Sequence, residues 1–223
     1  MIRGIIFDLD GVLTHTNEQH FQAWSELAQQ LGASLPDQIK DDTRGISRMD
    51  SLAVVLAAIG QADRYSPQER FQLADTKNKR YQKLIEQFTS ANLEPGAVEL
   101  LQQLHAMGIK IALASASKNA STLIDRLDIS HWFDYVIDPA KIKQGKPHPE
   151  MFLTAASELG LTPQECLGVE DAASGVEAIQ QAGMKAIGIG TDAVVQADWR
   201  FKNLVEAADW LIVFLKEQNN GKR

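Results

Sequence analysis

The stretch that decides the fold is residues 2–11, which read IRGIIFDLDG. Its apolar, β-branched run over residues 2–7 predicts a short buried strand of a parallel sheet. Asp8 and Asp10 follow at once, and residues two apart in an extended chain point the same way. We therefore expect both carboxylates to face the crevice at the carboxyl end of this strand, where α/β sheets bind ligands, with Gly11 allowing a sharp turn.

Similar apolar runs recur along the second half of the chain and alternate with helical patterns. Alternation of this kind predicts a doubly wound α/β fold with a parallel, Rossmann-type sheet. We identify no motif beyond Gly190. The predicted strands are residues 109–114, 135–137, 166–169 and 185–189, and the predicted helices are residues 97–107, 120–127, 150–159 and 175–182.

The segment between the first strand and residue 93 is helical in pattern throughout, with no convincing strand. We predict an inserted all-helical cap domain at residues 15–92 and a catalytic α/β core formed by residues 1–14 and 93–223. The two connections, near residues 14–16 and 91–95, would let the cap swing as a hinged lid.

The composition of this 223-residue chain limits the kinds of partner that it can bind. A net charge of −7, with no Lys/Arg block before the short Lys222-Arg223 tail, disfavours nucleic acid but still permits a small phosphorylated substrate. The single Cys166 favours a reducing compartment, which we interpret as the cytoplasm. No stretch predicts a signal peptide or a membrane span, and a monomer is expected because no heptad pattern or apolar stripe is evident.

The main candidates for catalytic and metal-binding residues are carboxylates. A carboxylate such as Asp8 can attack phosphorus to form an aspartyl-phosphate, while Asp10 passes a proton to or from the reacting oxygen. Glu170 and Asp171 close another predicted strand, so four carboxylates are expected at one sheet edge, a cluster that suits Mg²⁺. The simpler alternatives are a turn signal for the first pair and a helix N-cap for Asp171.

Two loops could hold a phosphate. Residues 115–119, SASKN, follow a predicted strand and open a helix, where hydroxyls, backbone N–H groups and a cation can surround an anion. Lys146, before Pro147, lies in a polar loop ahead of another helix. Taken singly, such Ser and Asn residues are more often helix caps, and a lone loop lysine is usually solvated.

The ordered combination of these four parts is far more specific than any one of them. An Asp-Leu-Asp-Gly end to the first strand, a second strand that ends in Ser, a Lys-Pro loop and a Glu-Asp pair together resemble the haloacid dehalogenase superfamily. Within that superfamily, the presence of Asp10 favours phosphoryl transfer over dehalogenation.

Sequence motifs, most of them in the predicted cap, make this resemblance more specific. The motifs HFQAW at residues 20–24, RGISR at residues 44–48 with Ser51, KN at residues 77–78 and SASKN at residues 115–119 are similar to those of the beta-phosphoglucomutase family. The resemblance implies that beta-glucose 1-phosphate is converted to glucose 6-phosphate through beta-glucose 1,6-bisphosphate, with Mg²⁺ bound.

The resemblance implies a role for each residue that matches a family motif. It makes Asp8 the nucleophile and Asp10 the general acid and base, and it places Ser115 and Lys146 on the transferring phosphoryl group and Arg48 on the distal phosphate. The implied metal ligands are Asp8, Asp10 through its carbonyl, Glu170 and Asp171. The other implied substrate-binding residues are Ala116, Ser117, Lys118, Asn119, Gly45, Ser51, Lys77, His20 and Trp24.

Other interpretations stay open on sequence grounds. His20 and Trp24 share a helix face, which also fits simple packing. A sugar-phosphate phosphatase would use the same Asp8 and Asp10, with water as the final acceptor, and a non-catalytic sugar-phosphate sensor is a third possibility. The chain also departs from its family at His15, where close relatives usually carry Asp.

Overall fold

A computed structural model describes residues 1–190 and 192–220 of the chain. Its centre is a six-stranded parallel sheet with the strand order β3-β2-β1-β4-β5-β6. This confirms the predicted doubly wound α/β fold. The strands are β1 (Gly4–Phe7), β2 (Lys110–Leu113), β3 (Tyr135–Val136), β4 (Cys166–Glu170), β5 (Lys185–Ile189) and β6 (Trp199–Phe201).

Helices cover both faces of this sheet because β1 is apolar on both sides. Ile5 and Phe7 pack into one hydrophobic cluster with α5, α6 and α9, whereas Ile6 points the other way into a second cluster with α7 and α8. The helices are α1 (Asn17–Gln30), α2 (Ile39–Asp42), α3 (Arg48–Ala58), α4 (Pro67–Leu84), α5 (Ala97–Ala106), α6 (Ala120–Arg126), α7 (Glu150–Glu158), α8 (Ala173–Gln181) and α9 (Leu204–Asn220).

Strand β1 lies where the strand order reverses. It pairs with β2 on one side and β4 on the other, and the three strands run in register from Gly4, opposite Lys110 and Cys166. The carboxyl ends of β1, β2 and β4 therefore open onto one crevice, which is the usual ligand position in a doubly wound sheet.

Four helices, α1 to α4, lie between β1 and β2 and form a unit that we call the cap. They pack around their own hydrophobic cluster, which includes Trp24, Leu27, Leu52 and Leu56. Residues 15–92 are all described and contain no strand. The observed helices support a helical insertion, and the domain boundaries at residues 14/15 and 92/93 stay a prediction.

The two chain crossings between cap and core lie side by side. Thr14 forms an antiparallel bridge with Leu93, and its buried Oγ1 donates to the Asn92 carbonyl over 2.7 Å. His15 Nε2 lies 2.9 Å from a carboxylate oxygen of Glu94. The residue that departs from the family thus joins one crossing to the other.

The end of the chain contains two elements that the motif search did not find. β6 extends the sheet beside β5, and α9 packs its buried side chains, among them Leu204, Leu211 and Leu215, against the core. The basic pair Lys222 and Arg223 lies outside the described residues. Among the described helices, none has the length and apolarity required to cross a bilayer.

Candidate active site

The turn after β1 places Asp8 at the sheet edge. The Asp8 N–H donates to the Val169 carbonyl on β4 over 2.9 Å, which extends the ladder by one residue. The chain then reverses at Gly11, where φ is 87°. A Cβ atom there would lie 1.9 Å from Oδ2 of Asp171, so Gly11 provides both the left-handed turn and the space for that carboxylate.

Three carboxylates converge beside this turn. Oxygens of Asp8, Glu170 and Asp171 all lie within 4.8 Å of one another, and the three side chains are buried. Glu170 is held by the backbone N–H groups of Asp171 and Ala172, each donating over 2.9 Å. Burial and the neighbouring carboxylates raise the pKa of Glu170 and hold the pKa of Asp171 well above its ordinary range.

Lys146 neutralises part of this cluster. Its Nζ lies 2.5 Å from Asp8 Oδ1 and 2.5 Å from Glu170 Oε1, with its side chain fully buried. Burial opposes the charge on this lysine, but the two carboxylates outweigh burial and raise its pKa above the ordinary value. Lys146 is therefore a buried, paired cation and not the solvated loop lysine of the simpler interpretation.

The acid cluster suits a divalent cation. Three close carboxylates in a buried site repel one another, and with all three ionised the Lys146 and Arg44 cations beside them still leave a net negative charge. Oxygen donors of this kind are what Mg²⁺ prefers. Asp171 does not cap α8, because the N-cap residue of this helix is Ala172, whose side chain makes no cap hydrogen bond.

Asp10 lies apart from this cluster. Its carboxylate accepts a hydrogen bond from the Thr16 hydroxyl, on the connection to the cap. Part of the residue contacts solvent, yet the carboxyl group sits deep in the cleft, and burial together with the Asp8 charge raises its pKa to about 7. A carboxyl group with this pKa can both give and take a proton near neutral pH.

The SASKN loop follows β2 and faces the acid cluster. Ser115 is buried, and its Oγ accepts the N–H of Ser117 over 3.1 Å, while Oγ of Ser117 accepts the N–H of Asn119 over 3.2 Å. The loop is therefore fixed by its own hydroxyl groups. Asn119 occupies the N-cap position of α6 but makes no side-chain cap bond.

Cationic and aromatic side chains of the cap form the opposite wall. Lys77, only 3% exposed, has its Nζ 2.7 Å from His20 Nδ1 and 4.6 Å from the ring centre of Trp24. Burial first, and then the Arg48 charge, lower the pKa of Lys77 to about 7. Burial and the adjacent Lys77 also hold the pKa of His20 well below its ordinary value, so this ring is neutral.

The two walls enclose a cleft of about 720 Å³, open solvent included. It brings together most of the predicted site residues, whereas Lys146, Glu170 and Asp171 are not among the residues that line it. The predicted residues that line it are Asp8, Asp10, His20, Trp24, Gly45, Arg48, Ser51, Lys77, Ser115, Ala116, Ser117, Lys118 and Asn119.

Sequence reasoning gave no role to six further lining residues: Asn17, Lys40, Thr43, Arg44, Ile46 and Asn78. Arg44 matters electrostatically, because its Nη1 lies 3.7 Å from Asp171 Oδ2. Arg44, Ile46 and Asn78 lie within the motifs RGISR and KN, so their position in these motifs could have indicated a place in the site. Asn17, Lys40 and Thr43 carry no such signal.

This geometry is that of a phosphoryl-transfer site on a doubly wound sheet, and the sequence agrees. Residues 2–183 match the haloacid dehalogenase-like hydrolases, and the chain belongs to this family. At 42% identity, it is similar to the beta-phosphoglucomutase of Bacillus subtilis strain 168 over 85% of this chain and 84% of that protein.

Solved structures and more distant relatives extend this picture. The crystal structure of beta-phosphoglucomutase from Clostridium difficile superposes with a TM-score of 0.89 at 38% identity, covering 96% of this chain and all of that one. A phosphorylated carbohydrates phosphatase of Thermotoga maritima is 28% identical over 83% of this chain and 84% of its own length. The resemblance indicated by the motifs is thus confirmed.

Proposed function

We propose that this chain is an isomerase that converts beta-D-glucose 1-phosphate to glucose 6-phosphate through beta-glucose 1,6-bisphosphate. One observation carries the proposal: the cleft has an aspartate site on the core wall and a cationic site, Arg48 with Lys77, on the cap wall. A sugar bisphosphate needs two such anion sites at once. The similarity to two beta-phosphoglucomutases supports the same reaction.

In the proposed reaction, an Asp8 carboxylate oxygen forms a bond to phosphorus while the bond from phosphorus to the sugar oxygen breaks. Asp10, with a pKa of about 7, gives its proton to the leaving oxygen and takes one from the attacking hydroxyl in the reverse step. Lys146 and Ser115 hold the transferring phosphoryl oxygens. The aspartyl-phosphate on Asp8 is attacked by the 6-hydroxyl of a beta-glucose 1-phosphate, which gives the 1,6-bisphosphate. This intermediate reorients in the cleft, and Asp8 takes the phosphoryl group from its 1-position as glucose 6-phosphate leaves.

The proposed cofactor is Mg²⁺, held by Asp8, the Asp10 carbonyl, Glu170 and Asp171. When bound, the ion would neutralise charge on the phosphoryl group in the transition state. Lys146 already bridges two of these carboxylates, so the protein orders the ligands before any ion arrives.

The cap would hold the phosphate that is not reacting. Arg48 is half-buried at the start of α3, and a guanidinium can bind phosphate with two parallel hydrogen bonds. Closure of the cap over the cleft would also exclude water, which would otherwise hydrolyse the aspartyl-phosphate. The remaining substrate contacts that we propose are Gly45, Ser51, Lys77, His20, Trp24, Ala116, Ser117, Lys118 and Asn119.

A sugar-phosphate phosphatase is the second candidate, and the Thermotoga maritima relative favours it. It would share Asp8 and Asp10 but need no bisphosphate and no distal cation. The two candidates therefore differ in their dependence on Arg48. For either candidate, we propose a small sugar phosphate as the partner of a cytoplasmic monomer.

A coupled assay tests the proposal. We would follow glucose 6-phosphate formation from beta-glucose 1-phosphate with Mg²⁺, with and without a trace of beta-glucose 1,6-bisphosphate, beside the alpha anomer and a free-phosphate readout. Turnover of the beta anomer alone that depends on the bisphosphate is the expected result. Phosphate release without isomerisation would contradict the mutase proposal and would indicate a phosphatase.

The Arg48→Ala variant sharpens this test. It should abolish mutase turnover and leave slow phosphate release, because both half-reactions place a phosphate in the distal site, whereas hydrolysis of the aspartyl-phosphate does not need one. Arg64→Ala, an exposed arginine elsewhere on the cap, is the matched control and should keep full activity. Unchanged mutase activity in Arg48→Ala would contradict the assignment.

A further inference from the structure

Two amide side chains of the cap form hydrogen bonds with one amide side chain of the core. Gln82 Nε2 donates to Asn119 Oδ1 over 3.0 Å, and Asn119 Nδ2 donates to Asn78 Oδ1 over 2.9 Å. Asn78 and Gln82 are four residues apart on α4, so they lie on the same helix face. Together they hold the Asn119 amide from both ends.

Asn119 is free to make these contacts because its side chain serves no local purpose. It stands at the N-cap position of α6, where an Asn side chain usually accepts a backbone N–H of the helix, yet it makes no such bond. Only 6% of Asn119 is exposed, and it lines the cleft. The core therefore presents its amide to the cap and to the cleft interior.

The direction of the hydrogen-bond chain matters for an anionic substrate. A primary amide has an oxygen that only accepts and a nitrogen with two N–H donors. With Oδ1 turned to Gln82 and one N–H given to Asn78, the second N–H of Asn119 is left for a ligand in the cleft. If the amide were reversed, its oxygen would face the phosphorylated sugar and repel it.

We propose that Gln82 is a positioning residue: by donating to Asn119 Oδ1, it orients the Asn119 amide so that an N–H group serves substrate oxygens when the cap is closed. This inference rests on the proposed function and extends it to a residue outside the cleft lining. Gln82 itself is exposed and is not among the residues that line the cleft, so it acts through Asn119.

The position of Gln82 makes the idea testable, because substitutions there should not disturb folding. Substitutions at exposed surface positions usually change stability little. Gln82→Glu is nearly isosteric but only accepts hydrogen bonds at neutral pH. It would bind the Asn119 NH₂ group and reverse the amide, whereas Gln82→Met removes the donor without forcing a reversal.

The experiment measures the dissociation constant of glucose 6-phosphate by titration calorimetry, together with KM and kcat. We expect Gln82→Glu to weaken binding about tenfold or more, the scale of a lost hydrogen bond to a charged group, and Gln82→Met to weaken it less. KM should rise more than kcat falls. Gln72→Glu, which adds the same charge on an exposed part of α4, should bind like the wild type.

Salt separates amide reversal from simple repulsion between the new carboxylate and the substrate. Repulsion at an exposed site is largely screened at about 0.5 M salt, whereas a reversed amide is not. A loss of affinity that persists in high salt supports the proposal. Wild-type affinity in Gln82→Glu, or a loss that vanishes with salt, would overturn it. If the wild type itself bound no glucose 6-phosphate, this result would contradict the proposed function and not specifically the role of Gln82.

Discussion

Gly175, on α8, lies directly against the carboxylate of Glu170. A Cβ atom on this glycine would stand 1.9 Å from Oε1 and 2.0 Å from the carboxyl carbon of Glu170. No other residue type fits this position unless the carboxylate moves. Since that same oxygen accepts a hydrogen bond from the Lys146 ammonium, the glycine provides the space in which the Glu170 carboxylate meets Lys146.

Gly175→Ala should therefore damage the proposed Mg²⁺ site more than the fold. We expect Mg²⁺ affinity, measured by titration calorimetry, to fall about tenfold to a hundredfold, as for other changes that displace a metal ligand. Overpacking should lower the free energy of unfolding by about 1–3 kcal/mol. Glu177→Gln, an exposed change on the same helix, is the control. Wild-type Mg²⁺ affinity in Gly175→Ala would rule out this role.

Lys146→Met should destabilise the metal-free protein. The substitution leaves Asp8 and Glu170 buried without their cation, and breaking a buried ion pair costs about 3–5 kcal/mol. Urea unfolding at neutral pH measures this loss, and Mg²⁺ should recover part of it by binding only the folded state.

The control for this experiment is the exposed Lys143→Met, three residues earlier, which should change stability by no more than about 0.5 kcal/mol. If Lys146→Met were as stable as the wild type in the absence of Mg²⁺, the buried carboxylates would not depend on this lysine.

Lys77 gives a pH dependence of stability with a definite sign. Its pKa is about 7 in the folded protein, against an ordinary value of 10.5, mainly because the ammonium is buried. Between these values the unfolded chain holds a proton that the folded protein has lost, so the free energy of unfolding should rise with pH across this window. The rise is at most about 5 kcal/mol.

Denaturant unfolding at several pH values tests this prediction. Lys77→Met should remove the rise, because no group at that position titrates. Lys79→Met, an exposed lysine on the same helix, should keep it. The same slope in Lys77→Met and in the wild type would show that other groups produce it.

The sequence predicts the sheet and the acid cluster well for a simple reason. Parallel strands end at the same edge, so a carboxylate that directly follows an apolar run has little freedom. Asp8, Glu170 and Asp171 accordingly meet as expected. Asp10 differs because the chain turns between it and the strand, and the Thr16 hydroxyl then captures its carboxylate. Side-chain partners of this kind leave no mark in strand periodicity.

The cap contacts were harder to anticipate. Gln82 and Asn119 meet only because α4 lies over the start of α6. The hydrophobic periodicity of each helix predicts that helix alone, and it does not predict how the two helices pack against each other. Helix α9 is a different case. Its buried residues Leu204, Leu211 and Leu215 repeat with helical spacing, so periodicity would have revealed it where a search for chemical motifs did not.

The central position of β1 also has a consequence for how the chain folds. The strand that precedes Asp8 is synthesised before its partners: the nearest in sequence, β2, begins roughly one hundred residues later, and β4 follows later still. The cap helices, whose contacts are local, can form while β1 is still unpaired. We therefore expect the site to be assembled late in folding, because the slow, long-range closure of the sheet brings Asp8 to a cap that has already formed.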